Sequence, residues 1–472
     1  MSSKIILASK VVTSVASVLL PFVSSAQSSS SKTVEFEMTQ PQLVLQADHE
    51  SRLLPDGDYI ATEGHLFEAQ YQSDWADTRS EVAAAGGSMM LAVEAIAQMN
   101  SAQMDDLYNF QQANPGLHLT IRGNGVALGC QLAIDNHPDP LANIGYEAAK
   151  FTWETAEGAL RLLLDRGIRI DTLLNDGPVA RLIGAKNPAS ATGCDSLDMT
   201  VAQAASAYAD FIEVSKLYLS WYNAGQDYGD GLTAPLNNFP QTKFVWSMNA
   251  ANWMYQLPSG EIVPPVANNG IHPDGYGYDS HGYVNCNSDN NCTPLDLSML
   301  MDTVLGEFVS RGLSEDIDYI AHEAPYWTYV QGTITSEGSV DSELSPEGIS
   351  QLYKEVDWVN KIRALGMRTG FWVNPYIMQD TRDGCDITAA LAQCSYGANE
   401  VWHDEVLANI ELFRLAFEYF GMLPHHDVHL LYAFDQNVPT VTLPETHSGD
   451  PLMNPYSYMQ TANDVAKLLA EM

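Results

Sequence analysis

The chain has 472 residues, with 59 acidic side chains against 22 basic ones and a formal net charge of -37, which excludes nucleic-acid binding because phosphate contacts need a basic face. With 46% apolar and 17% charged residues it is globular rather than disordered; so acidic a surface repels polyanionic substrates and favours a monomer. By length it could hold about three average domains or one long α/β barrel with insertions.

At the N-terminus Lys4 and Lys10 precede an apolar stretch, Val11 to Val23, and the small residues Ser24 and Ala26 fit a signal-peptidase site. Residues 1–26 therefore read as a signal peptide and the protein as secreted. The stretch falls short of the about 20 residues that span a bilayer, and no later segment is apolar enough, so no membrane partner is expected. The Ser-rich run Ser28 to Ser31 marks residues 27–50 as a linker and N-terminal extension, leaving 51–472 as a single catalytic domain.

Strands are predicted at Tyr59 to Leu66, Met89 to Ala95, Leu117 to Arg122, Ile170 to Leu174, Phe244 to Met248, Ile317 to Ala321, Arg368 to Val373 and Val428 to Phe434. Segments of helical period lie between them, such as Leu297, Leu300, Met301, Val304 and Phe308, or Ile349, Leu352, Val356, Val359 and Ile362. A glycine followed by an apolar residue recurs before the next strand: Gly116-Leu117, Gly167-Ile168, Gly312-Leu313, Gly366-Met367 and Gly421-Met422. Glycine there is the left-handed residue that stops a helix. Thr293-Pro294 with Asp296, and Ser345-Pro346 with Glu347, mark two helix starts, and Tyr456 to Met472 a closing helix.

Eight strands each followed by a helix, with no spare β-hairpin segment, predict an α/β fold of the (β/α)8 TIM-like barrel type; an open α/β sheet is the alternative if either of the first two strands fails. The strand-to-helix segments are long, at about 123–143, 175–199, 249–293 and 374–401, as on the working face of a barrel. Cys130, Cys194, Cys286, Cys292, Cys385 and Cys394 all fall in those segments, an even count that suits disulfides in an exported chain. The expected pairs are 286 with 292, 385 with 394, and 130 with 194, giving disulfide-braced βα loops.

Functional residues are then expected at the C-terminal ends of strands: Glu63, His65 and Glu68, then Glu94, Arg122 and Asn124, Asn175 and Asp176, Asn249 and Asn252, His322 and Glu323, Asn374, and Asp435. The set lacks a His-x-His pair and a strand-end Lys, which weakens metal-hydrolase and Schiff-base readings, so neither metal nor cofactor is expected. Its carboxylates suit glycoside hydrolysis, in which one carboxyl group protonates the leaving oxygen and another activates water or attacks. Glu323, followed by Tyr326 and Trp327, is the candidate general acid, since an aromatic wall desolvates its charged form and raises its pKa. Asp176 is the candidate base or nucleophile, with Glu94 and then Asp435 in reserve; either candidate could instead cap a helix or pair with Arg181.

Substrate binding is assigned to Arg122, Asn124, Asn175, Asn249, Trp253, His322, Trp327, Asn374, Tyr376 and Asp435, amides for sugar hydroxyls and rings for apolar sugar faces. Trp246 and Trp372, inside strands, read as core. His425, His426, Asp427 and His429 lie at the start of the last strand and read as structural, and the loop from Asn285 to Cys292 reads as an Asx-rich turn rather than a calcium site. A polysaccharide lyase and a non-catalytic carbohydrate-binding protein are the alternatives.

The segments Leu173-Leu174-Asn175-Asp176-Gly177-Pro178, Ala321-His322-Glu323-Ala324-Pro325 and Trp372-Val373-Asn374-Pro375-Tyr376 sit in a chain that resembles secreted barrel-type glycosidases. In size, export signal and acidity it looks like the marine β-agarases of glycoside hydrolase family 118. That resemblance is one of general character and carries no residue role with it. It implies hydrolysis of internal β-1,4 bonds in agarose, a nearly uncharged polymer compatible with an acidic surface.

Overall fold

The computed structural model describes residues 42–46, 88–123, 125–154, 160–183, 194–197, 199–224, 241–248, 250, 253–264, 284–286, 292–323, 330–334, 340–344, 346–373, 403–404, 406–412 and 428–432, with single helical positions at 76, 79 and 80 and between 460 and 468. In chain order the elements are β1 (Gln42–Gln46), β2 (Ser88–Ala92), α1 (Val93–Gln98), α2 (Ser101–Ala113), β3 (His118–Gly123), α3 (Gly125–Asn136), α4 (Ile144–Glu154), α5 (Leu160–Asp165), β4 (Thr172–Asp176), α6 (Val201–Ala224) and β5 (Lys243–Met248). There follow β6 (Tyr255–Gln256), β7 (Ile262–Val263), β8 (Val284–Cys286), β9 (Cys292–Pro294), α7 (Leu297–Arg311), β10 (Ile317–Glu323), β11 (Val330–Ile334), β12 (Val340–Leu344), α8 (Pro346–Ala364), β13 (Arg368–Val373) and β14 (Val428–Tyr432).

Strands β2, β3, β4, β5, β10 and β13 pair in that order, all parallel. Right-handed crossovers that always advance in one direction put every connecting helix on the same face and curl the sheet into a half-barrel. The pleat sorts the strand residues accordingly. Met90, Leu174, Val245, Tyr319 and Ala321 form a small apolar cluster of their own. Their neighbours Leu119, Ile121, Leu173, Phe244, Trp246, Ile320 and Phe371 join the large core beneath the helices.

The closed (β/α)8 barrel is therefore corrected to a parallel six-strand half-barrel, an open sheet in itself. The strand expected at 59–66 lies outside the described residues. The segment beside β2 is instead β1, from the stretch read as an N-terminal extension, and β14 runs beside β13; these two short ribbons also pair with each other, Gln42 opposite His429. Leu43, Val44 and Leu45 in succession are what a strand with two covered faces requires, whereas 59–66 carries Glu63 and His65. The described core is built on the strands from β2 to β13 and takes in Val406, Ile410, Leu412 and Val465 beyond them.

Two further expectations change. Antiparallel hairpins do occur, β6 with β7, β8 with β9 and β11 with β12. The stretch 123–143 is mostly helix α3, whose Val126, Ala127, Cys130 and Ala133 recur at helical spacing and are buried. The Cys130–Cys194 disulfide is present, and it ties that helix to the segment after β4 rather than loop to loop. Cys286 and Cys292 face each other in register across β8 and β9, while Cys385 and Cys394 lie outside the described residues.

Three of the five expected glycine stops are found; Gly116 does not take positive φ, its helix being capped at Asn114, and Gly421 lies outside the described residues. Gly167, Gly312 and Gly366 take positive φ, and Gly312 is the left-handed cap of α7. The start of α7 differs: Pro294 belongs to β9, and Asp296 is the N-cap, accepting the Met299 N–H at 2.9 Å. Pro346 opens α8 as expected. Among the described residues no helix is long and apolar enough to cross a membrane.

Candidate functional site

Asp176 and Glu323 are each the last residue of a strand in the parallel sheet. Register sets their relation. Asp176 pairs with Ser247 of β5, Ser247 pairs with Ala321 of β10, and Glu323 lies two residues further on, opposite Trp372. Two strand spacings of about 4.8 Å and two residues of about 3.3 Å put the two Cα atoms about 12 Å apart.

Asp176 lies on the same side of its strand as Leu174, with its side chain 35% exposed. It pairs with Arg181, Nη2 to Oδ2 at 2.9 Å, so the partner weighed from sequence is the one found. The guanidinium is itself 43% exposed, and the pair does not take the carboxylate out of reach of a ligand. The turn between them depends on Gly177, whose φ of 55° is a left-handed value and whose N–H donates to the Ser247 carbonyl at 2.9 Å. Arg122 is half-buried in register with Leu174, one strand over from Asp176 and two residues nearer the strand starts.

Other expected site residues face elsewhere. Asn175 alternates to the opposite side of β4 and is buried behind the sheet, its Nδ2 3.4 Å from the Tyr208 hydroxyl, which donates to the Val245 carbonyl. Trp253, read from sequence as a loop ring for a sugar face, is fully buried in the core. His322 is fully buried as well, beneath α8. Glu94 is not at a strand end, because β2 stops at Ala92 and Glu94 belongs to α1. Glu63, His65, Glu68, Asn124, Asn249, Asn252, Tyr326, Trp327, Asn374, Tyr376 and Asp435 lie outside the described residues, as do His425, His426, Asp427 and residues 287–291. No group of His, Cys, Asp and Glu among the described residues could hold a metal ion.

One polar cluster was not anticipated. On α8, Gln351, Lys354 and Glu355 are all buried, although charged residues on a helix ordinarily mark its solvated face. The spacing does carry the signal: Glu355 falls on the stripe of Leu352, Val356 and Val359. Lys354 Nζ donates to the Trp253 carbonyl at 2.8 Å and to Gln351 Oε1 at 3.3 Å, and Gln351 Nε2 donates to the Pro264 carbonyl at 3.0 Å. Tyr255 on β6 donates its hydroxyl to Asp357, and Ser350 bonds Glu261, so α8 fastens the whole 253–264 segment that follows β5.

Burial pushes the Lys354 ammonium down from its ordinary 10.5 to about 8, against the opposing pull of Glu355 and Asp296. Between those values the folded lysine is neutral while the unfolded one still holds its proton. Stability that is withheld below pH 8 is therefore gained as pH rises toward 10.5, with a slope of up to about 1.4 kcal/mol per pH unit. Urea unfolding of wild type and Lys354→Met across that window should show the rise in wild type alone. Parallel curves would mean that Lys354 is charged and compensated in the fold.

No protein family matches the chain, and no curated protein is similar to it.

Proposed function

We propose that the chain is a polysaccharide hydrolase in which Glu323 protonates the leaving glycosidic oxygen and Asp176 activates water or attacks the anomeric carbon. The observation that carries this reading is the register that brings both acids to the C-terminal ends of one parallel sheet, where α/β folds bind their ligands. Cα atoms about 12 Å apart leave side-chain reach for the about 6.5–9.5 Å between carboxyl groups that an inverting mechanism uses. Arg181 Nη2 stands 2.9 Å from Asp176 Oδ2, which places a cation beside the proposed base or nucleophile. The net charge of -37 disfavours polyanionic polymers, and the resemblance to the family 118 β-agarases makes agarose the first substrate to try.

Reducing-end release should be measured on agarose, on other neutral polysaccharides and on charged algal ones. Release from a neutral polymer is expected, and no release from any would overturn the reading. A second reading, a lyase, draws on Arg122 and Arg181, which lie near Asp176 and could hold a uronate. Its product is an unsaturated sugar that absorbs in the ultraviolet, which a hydrolase product does not.

A further inference from the structure

His322 and Glu355 meet behind the sheet. The His322 ring packs against Trp358 of α8 at 5.5 Å and Phe371 of β13 at 6.0 Å between ring centroids. Its Nδ1 accepts the N–H of Ala250, two residues past the end of β5, at 3.1 Å. A ring nitrogen that accepts holds no proton, so the ring is neutral and its hydrogen is on Nε2, 2.7 Å from Glu355 Oε1. That contact is short but out of line, and neither atom makes an aligned hydrogen bond among the described residues. Among the described residues, Lys354 on α8 interacts electrostatically with Glu355, and also with Asp296 at the N-cap of α7.

Side-chain exposures of 0% and 1% make this an expensive arrangement, since burying polar groups without aligned hydrogen bonds costs desolvation that apolar residues of similar volume would not. What apolar residues could not do is receive the Ala250 N–H, which is buried with its residue. That bond joins two strand ends. On one side of β5, Ser247 pairs with Asp176 and accepts the Gly177 N–H; on the other, Ala250 is held by His322, the residue directly before Glu323.

We propose that His322 and Glu355 are a positioning pair that locks the ends of β5 and β10 together from behind the sheet, and so sets the backbone of Glu323 relative to Asp176. The proposal rests on the hydrolase reading above. It assigns His322 no contact with substrate, in place of the binding role read from sequence.

The two ring nitrogens can be tested apart in the full chain. His322→Asn leaves an oxygen near the position of Nδ1, whereas His322→Gln leaves a donor near the position of Nε2 and nothing to receive the Ala250 N–H. Amide hydrogen exchange at Ala250 should be slow in wild type and His322→Asn and fast in His322→Gln. In parallel, kcat on the cleaved polysaccharide should fall about 10- to 100-fold in His322→Gln with KM little changed, as expected when a reacting group is displaced rather than removed. Glu355→Gln, which keeps the shape and removes the charge, should give a smaller fall of the same kind and serves if a His322 variant does not fold. Equal protection of Ala250 in all forms overturns the lock, and lost protection with unchanged kcat overturns the positioning role. Wild type that protects Ala250 and cleaves no polysaccharide overturns the hydrolase reading, and the positioning role with it, while leaving the lock as a structural fact.

Discussion

Glu323→Gln and Asp176→Asn should each lower kcat by about 10²–10⁴-fold, the range spanned by positioned acids and bases. The two losses should differ in pH dependence. An acid must be protonated to act and a base ionised, so Glu323→Gln should flatten the alkaline limb of the kcat profile and Asp176→Asn the acidic limb. Unfolding does not account for the effect at Asp176: its ion pair with Arg181 is more than a third exposed on both sides, and such pairs contribute about 0–1 kcal/mol. Urea midpoints close to wild type with full turnover in either variant would remove that residue from the mechanism. The anomeric form released first would separate inversion from retention, and with it the role of Asp176 as base or nucleophile.

Gly145→Ala should destabilise the fold by more than the about 1–3 kcal/mol that overpacking usually costs. Helices α3, α4 and α6 touch through glycine. A Cβ on Gly145 would lie 2.1 Å from the Ala207 carbonyl oxygen and 2.7 Å from the Phe211 nitrogen, and one on Gly129 would lie 2.1 Å from the Ile144 carbonyl oxygen. Those atoms are backbone and cannot swing aside, so α6 must move away from α4 as a unit. The same helices carry the Cys130–Cys194 disulfide and Tyr208, which bonds the Val245 carbonyl of β5, so a shift there loosens the helical layer next to Asp176. Gly306→Ala in α7 is the control: nothing lies within 4 Å, and helix propensity alone should raise stability by up to about 1 kcal/mol. Urea midpoints moving alike in the two variants would mean that the contact at Gly145 is not tight.

Much of the local structure was legible residue by residue. Strands β3, β4, β5, β10 and β13 lie within two residues of their predicted bounds at the starts and ends, because a short apolar run followed by a helical stripe has few other ways to fold. The stops at Gly167, Gly312 and Gly366 were legible because only glycine takes that backbone without strain. The 130–194 disulfide was reached by eliminating the two short-range pairs. The helix at 125–136 was not, since 123–143 reads as one long strand-to-helix segment; glycines at 125 and 129 weaken a helical pattern, and their reason is the close approach to α4 and α6.

By itself the sequence determined the parallel α/β character, the order of the six central strands and the place of Asp176 and Glu323 at the ends of two of them, since periodicity, glycine stops and right-handed crossovers are local or chiral rules that need no partner. Tertiary structure decided which side of the sheet each strand-end residue faces and what lies behind it. A shift of one residue along a strand reverses the side chain, so Asp176 stands beside Arg181 near the surface while Asn175 is buried against Tyr208. It also decided that the core is a six-strand half-barrel bordered by β1 and β14 rather than eight equal units, because edge pairing depends on segments far apart in the chain. For the same reason the burial of His322, Lys354 and Glu355 appeared only once α8 lay against β10: a charged residue records its chemistry in the sequence, but not the neighbour that covers it.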